Sequence, residues 1–254
     1  RDRTGSAERA QEAFDQALQR GLNENYAREL LELHTLGVDN YYDQGDVEAT
    51  AAVLTGWTVD TRDGGEYGFR YRPQMHVEGH KRVLGKVIRE DRDTRGYAEG
   101  VVVLDMLAEH RGTARFIATK LVRHLVNDQP PDDLFEDAAE VFQRTDGDLR
   151  AVVHAIVTSD EFYAPEHYRA KFKTPFEFVV SAVRVTGAEV DDARMLVRAL
   201  RGMGQPVYAC DPPTGYADTA EAWLAPGVMA LRWQFTTDLA EGRVRGVRIP
   251  DSFY

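Results

Sequence analysis

An amide, a guanidinium and two carboxylates share one arc of a helix in the run Asn23 to Gly37. They are Asn25, Arg28, Glu29 and Glu32. At about 100° per residue, Tyr26, Leu30 and Leu33 fall on the opposite face, widened by Ala27, Leu31 and His34. Asn23 or Asn25 can cap the start, and Gly37 supplies a left-handed stop. Such an arc is either a solvated face or one wall of a polar site. Periodicity by itself favours the solvated face.

Other residue types offer weaker chemistry. His76 and His80 stand four apart, which on a helix would put both imidazoles on one face for a metal. Their flanks, Pro73, Gly79 and Gly85, argue for loop or strand instead. Lys81 and Lys86, with the backbone around Gly79 and Gly85, could hold an anionic ligand; a lysine-decorated hairpin edge is the simpler reading and is favoured. No GxxxxGK[ST] loop and no GxSxG elbow is present. Ser159 reads as a helix end, and Cys210 has no histidine close in sequence to activate it. The segment Gln205 to Tyr216 is rich in proline. It presents Gln205, Tyr208, Asp211 and Tyr216 as a site wall, or serves as a rigid connector.

The elements that would position these groups are overwhelmingly helical. An apolar stripe at Ala7, Ala10, Phe14 and Leu18 marks a helix over 6–20, followed by the helix described above and a short one from Asp46 to Thr55. Between Trp57 and Ile88 the texture changes. The turn signal Asp63-Gly64-Gly65 separates Trp57-Thr58-Val59 from the alternating Phe69-Arg70-Tyr71-Arg72, which predicts a small hairpin. Helices are expected again over 97–109, 113–126, 132–144 and 148–157. Thr174-Pro175-Phe176-Glu177 combines a capping box with Pro at the first helical position and starts another, running to Gly187. Further helices are expected over 191–203, 218–224 and 226–240. The fold class is therefore mainly α: an orthogonal multi-helix array with one small β-hairpin region near 57–88, about two thirds helical. Short loops favour a single helical domain over 1–254.

Composition bounds the function. The chain has 254 residues, 43% of them hydrophobic, enough for a core. Its 42 acids against 31 bases give a formal charge of −11, which argues against a nucleic-acid partner. No apolar run is long enough for a membrane span. One cysteine excludes an intrachain disulfide and a thiolate zinc cluster.

The run at 23–37 resembles the signature of a large bacterial family catalogued as domain of unknown function 1800. The resemblance continues through Leu54-Thr55-Gly56-Trp57 and Phe69, then His76-x-x-Gly79-x-Lys81-x-x-Leu84-Gly85. Beyond these come Thr158-Ser159-Asp160-Glu161-Phe162, Lys173-Thr174-Pro175-Phe176-Glu177-Phe178, Met203-Gly204-Gln205-Pro206 and Pro212-Pro213-Thr214-Gly215-Tyr216. It runs from about Leu22 to Gly242 and brings no activity with it. Family members typically begin with an export signal, often of the twin-arginine type, and a helical half containing a Trp-His-x-His-Phe-like segment. Neither occurs here. The resemblance therefore implies an extracytoplasmic protein and a C-terminal portion, with the missing half or a second polypeptide as partner.

It also singles out His76. A histidine with Glu29 and Glu32 from a neighbouring helix would suit iron, manganese or zinc, so a divalent transition metal is the candidate cofactor. The usual family form has Asp directly after that His, where this chain has Val77. Asn25, Arg28, Lys81, Gln205 and Tyr216 are the candidate ligand-binding residues. The expectation is part of an extracytoplasmic metal-dependent enzyme of unknown reaction. The alternative is a non-catalytic helical binding or assembly module, using the hairpin and the Pro-rich loop as contact surface.

Overall fold

A computed structural model describes residues 21–38, 40–60 and 68–253. Among them the chain is mainly helical, with 53% of residues in helices and only small two-stranded antiparallel hairpins. The helix expected over 6–20 and the turn at Asp63-Gly64-Gly65 lie outside the described residues. Two compact units form: residues up to Lys120 with Phe135–Ala155, and Leu121–Leu134 with everything from Ile156.

In the first unit, α1 (Glu24–Glu32) starts where the Asn23 side chain accepts the Tyr26 N–H at 3.1 Å. It buries Ala27 and Leu31 completely. Tyr26, expected on the apolar face, is 55% exposed instead, because the buried stripe is centred on Ala27 and Leu31. The helix α2 (Gln44–Val53) opens with a capping box between Asp43 and Asp46. Val47, Ala49, Ala51, Ala52 and Val53 are all buried, so α2 is wrapped nearly all round by its neighbours. It packs against α1, the strand β3 (Lys81–Val83) and the helix α3 (Tyr97–Ala108).

The predicted β region holds two hairpins rather than one. β1 (Trp57–Asp60) pairs antiparallel with β2 (Gly68–Tyr71), Val59 lying opposite Phe69. β3 pairs with β4 (Lys86–Ile88) across Leu84-Gly85, both at positive φ (50° and 75°), as a two-residue I′ turn requires. Asp46 serves two elements here. One carboxylate oxygen completes the α2 capping box, and the other accepts the Leu84 N–H at 2.7 Å.

The helices α4 (Arg111–Leu125), α5 (Asp132–Arg144) and α6 (Leu149–Val157) follow close to their expected limits. In the second unit, α7 (Pro175–Val185), α8 (Arg194–Gly202) and α9 (Pro226–Ala240) pack around Val179, Leu200, Met203, Phe235, Leu239, Val244 and Val247. Two departures from expectation occur there. Residues 218–224 form only a 3₁₀ turn (Ala220–Trp223), and a two-residue pairing of β5 (Glu189–Val190) with β6 (Val247–Arg248) lies far outside 57–88. Two-residue strands carry no alternation for a sequence to show. Among the described residues, no helix is long and apolar enough to cross a membrane.

Candidate functional site

Within the first unit, the His-x-x-Gly-x-Lys segment folds back on itself around a buried cation. Gly79, at φ 94°, turns the chain so that Lys81 on β3 reaches the residues just before it. The Lys81 ammonium donates to the Val77 carbonyl, to Glu99 Oε2 at 2.7 Å and to His76 Nε2 at 3.1 Å. All three of its N–H groups are then used. His76 Nδ1 faces the Thr55 carbonyl at 3.0 Å, which requires the proton on Nδ1 and leaves Nε2 free to accept. Its 3.4 Å separation from Glu99 Oε2 is thus a contact rather than a hydrogen bond. Glu99 stands on α3, and its other oxygen accepts the Asp91 N–H at 3.0 Å. Thr55 ties in the preceding motif: its hydroxyl donates to the Ala52 carbonyl at 2.6 Å and accepts the Val77 N–H at 2.8 Å.

This cluster is closed. The side chains of His76, Lys81 and Glu99 are 4%, 2% and 1% exposed. Burial pushes the Lys81 pKa down, partly opposed by Glu99. Burial works to raise the Glu99 pKa, but the hydrogen bonds from Lys81 and the Asp91 N–H outweigh it and hold it below the usual 4.5. An ion pair forms with every donor and acceptor satisfied, and no face of it is open to a substrate. Position 77 contributes through its backbone N–H and carbonyl, so a valine suffices there.

Against the cluster stands an aromatic wall. Trp57 stacks on Tyr97 (5.5 Å, 20°) and meets Phe69 edge-on at 5.2 Å, while Tyr71 meets Tyr97 at 5.6 Å. The Tyr71 hydroxyl donates to the Arg95 carbonyl at 2.6 Å, and burial, with Glu99 and Asp91 nearby, pushes its pKa up to about 12. Two glycines permit this packing. A Cβ on Gly96 would lie 2.2 Å from the His76 ring, and one on Gly100 would lie 2.4 Å from Trp57. The outer side of the wall is displayed: Val59 is 52%, Phe69 59% and Tyr97 37% exposed.

The polar arc of α1 is not part of this cluster. Arg28 donates to Gln44 Oε1 at 2.7 Å, Gln44 donates to Glu24 at 2.8 Å, and the Tyr42 hydroxyl donates to Glu32 at 3.1 Å. These bonds tie α1 to α2 and to the segment before it. The side chains of Asn25, which is exposed, and Glu29 make no hydrogen bond among the described residues. Nor, among those residues, does any group of three or more His, Cys, Asp or Glu side chains stand together as a metal site needs. Glu29, Glu32 and His76 are accordingly not gathered as one ligand set: Glu32 holds Tyr42, and His76 is occupied by Thr55 and Lys81. His80 is separate again, its Nδ1 accepting the Glu90 N–H at 2.9 Å.

In the second unit, three recognised motifs knit one framework. Thr174 and Glu177 complete the predicted capping box of α7. The Gln205 side chain accepts the Phe176 N–H at 2.7 Å, satisfying another orphan donor of that first turn. The Tyr216 hydroxyl donates to the Pro206 carbonyl at 2.6 Å, and its ring lies 6.2 Å from Trp223. Gln205 and Tyr216 thus have structural partners, whereas Tyr208 in the same loop is fully exposed.

Three residues central to these arrangements escaped the sequence reading. Thr55 lay within a recognised motif without a role. Glu99 stands in the first turn of α3, just before the apolar run Val101 to Leu104, and Arg232 is a lone base in Val228 to Phe235. A single charge inside an apolar helical run is a signal that could have found Arg232, whereas an acid in a first turn is ordinary and did not mark Glu99. No curated protein and no solved structure matches the chain. The family model described as "Protein of unknown function (DUF1800)" matches residues 2–252, and the chain belongs to that family.

Proposed function

We propose that this chain is a non-catalytic helical binding module whose first unit presents the aromatic face of Val59, Phe69 and Tyr97 to a partner. One observation carries this reading. The groups best suited to chemistry, His76, Lys81 and Glu99, are spent on each other in a closed cluster, while aromatic side chains beside them face outward. In this reading the cluster holds the β1–β2 hairpin and α3 in register, so that the face is rigid before a partner arrives. The Pro-rich loop, with Val207 and Tyr208 exposed, is a second contact surface. The partner is a second polypeptide, met outside the cytoplasm.

Two measurements test it. Elemental analysis after incubation with manganese, iron or zinc is expected to show no stoichiometric metal. A full equivalent that is lost in Glu29→Gln or Glu32→Gln would restore the metal-dependent enzyme. Second, Phe69→Ser with Tyr97→Ser should reduce fluorescence of a bound naphthalenesulfonate dye while leaving the far-ultraviolet circular dichroism unchanged. Unaltered dye binding would move the contact surface elsewhere.

A further inference from the structure

In the second unit, we propose that Arg232 anchors a binding site for a carboxylate-bearing ligand. Arg232 sits on α9, is only 4% exposed, and has no hydrogen-bond partner among the described residues for either Nε or Nη2, both fully enclosed. Its guanidinium carbon lies 4.5 Å from the Phe172 ring centre and 5.1 Å from that of Phe178. Phe178 belongs to the Lys173-to-Phe178 motif, and Phe172 precedes it by one residue.

A guanidinium cannot shed its proton to escape burial, so it keeps a full charge that two aromatic faces compensate only in part. The carboxylates that neighbouring segments supply are engaged elsewhere. Glu177 accepts the Thr174 N–H, Asp238 accepts from Arg243 and Gln234, and Asp128 accepts from Lys171 and the Ala220 N–H. Consistent with this, burial is the one influence that moves the Arg232 pKa, downward; no carboxylate opposes it.

The donor geometry of the guanidinium selects the ligand. Nε–H and the adjacent Nη2–H point the same way in the guanidinium plane, and together they form the fork that receives both oxygens of a carboxylate. One fork carries one positive charge, which suits a monoanionic carboxylate better than a phosphate dianion. Entry requires a side chain to move. Phe178 is fixed in α7, whereas Phe172 stands in irregular backbone between the Pro165–His167 turn and α7, so Phe172 is the side chain that yields.

The test uses the full chain, with sodium acetate titrated against sodium chloride at constant ionic strength. Thermal unfolding and the Nε–H resonance of Arg232 report binding. Acetate is expected to raise Tm in a saturable way and to shift that resonance, with inorganic phosphate weaker. Arg232→Lys keeps the charge but loses the fork, and its apparent affinity should fall about tenfold or more. Arg232→Met should not respond to acetate, and in chloride it should be at least as stable as wild type, since it removes an uncompensated buried charge. No saturable response in wild type, or an equal one in Arg232→Met, overturns the site. So does a loss of Tm in Arg232→Met without any acetate response in wild type, which would make Arg232 a structural cation resting on two rings. Phosphate binding more tightly than acetate overturns the carboxylate assignment. Should Arg232→Met fail to fold, Arg232→Lys and the wild-type resonance still decide. None of these outcomes touches the aromatic face of the first unit, so the two readings stand or fall separately.

Discussion

Lys81 and Glu99 show how a motif lysine and an unheralded glutamate become one object. Each is almost fully enclosed, and each has its polar atoms satisfied by the other and by nearby backbone. Removing one leaves the other buried and uncompensated, so Lys81→Met and Glu99→Gln should each cost about 3–5 kcal/mol. Replacing both with apolar residues should cost well under the sum of the single effects. Urea unfolding of the single and double variants checks this, and strict additivity would show that the pair is not coupled. The same pair sets a pH dependence. Because the folded-state pKa of Glu99 lies below its usual 4.5, the unfolded state binds more protons in the interval between the two values. The stabilisation is therefore complete above about 4.5 and is lost as pH falls through the lowered folded value. In Glu99→Gln, that part of the acid-side slope should disappear from a plot of stability against pH.

At the scale of elements, ordinary propensity rules hold or reverse according to what each helix face meets. Gly100 lies inside α3, where alanine would normally gain about 1 kcal/mol. Here the added methyl would meet the Trp57 ring, so Gly100→Ala should instead destabilise by about 1–3 kcal/mol. Gly227 near the start of α9 has open space around it, and Gly227→Ala should be neutral or stabilising in the same unfolding assay. A gain at both positions would mean that Trp57 does not press on α3. Caps behave more simply. Thr174→Ala removes the side-chain acceptor of the Glu177 N–H at the start of α7, leaves the bond from its own N–H to the Glu177 carboxylate, and should lower stability by about 1 kcal/mol, read from the urea midpoint. Because Gln205 still serves the Phe176 N–H, the loss should stay near that size.

At the scale of the whole molecule, 42 acidic against 31 basic residues leave a formal charge of −11. A field of that sign repels polyanions and steers cations. The chain should therefore migrate toward the anode at neutral pH, and it should not raise the fluorescence anisotropy of a labelled DNA duplex at physiological salt. Salt-sensitive binding to the duplex would require a basic surface that the composition argues against.

The sequence by itself determined what periodicity and local chemistry carry. The stripes and caps placed α5, α7 and α9 closely, and the start of α1 though not its end, which falls at Glu32 rather than at the Gly37 stop, because an apolar face and a cap are written in adjacent residues. The same apolar periodicity determined the mainly helical class, and the scattered motifs determined the family. The helical share among the described residues, 53%, is lower than the two thirds expected. Only the tertiary structure decided which polar residues are partners. Glu29 and His76 look alike as candidates on paper, yet the side chain of one makes no hydrogen bond among the described residues and the other ends in a buried cluster with Glu99, 23 residues further along the chain. Burial converted Lys81 from a plausible surface charge into an internal clamp. It also set Arg232 over two phenylalanines, with Nε and Nη2 lacking hydrogen-bond partners among the described residues. Local sequence fixes the conformation of a segment, but desolvation and pairing depend on which segments are brought together, and that is a property of the folded chain alone.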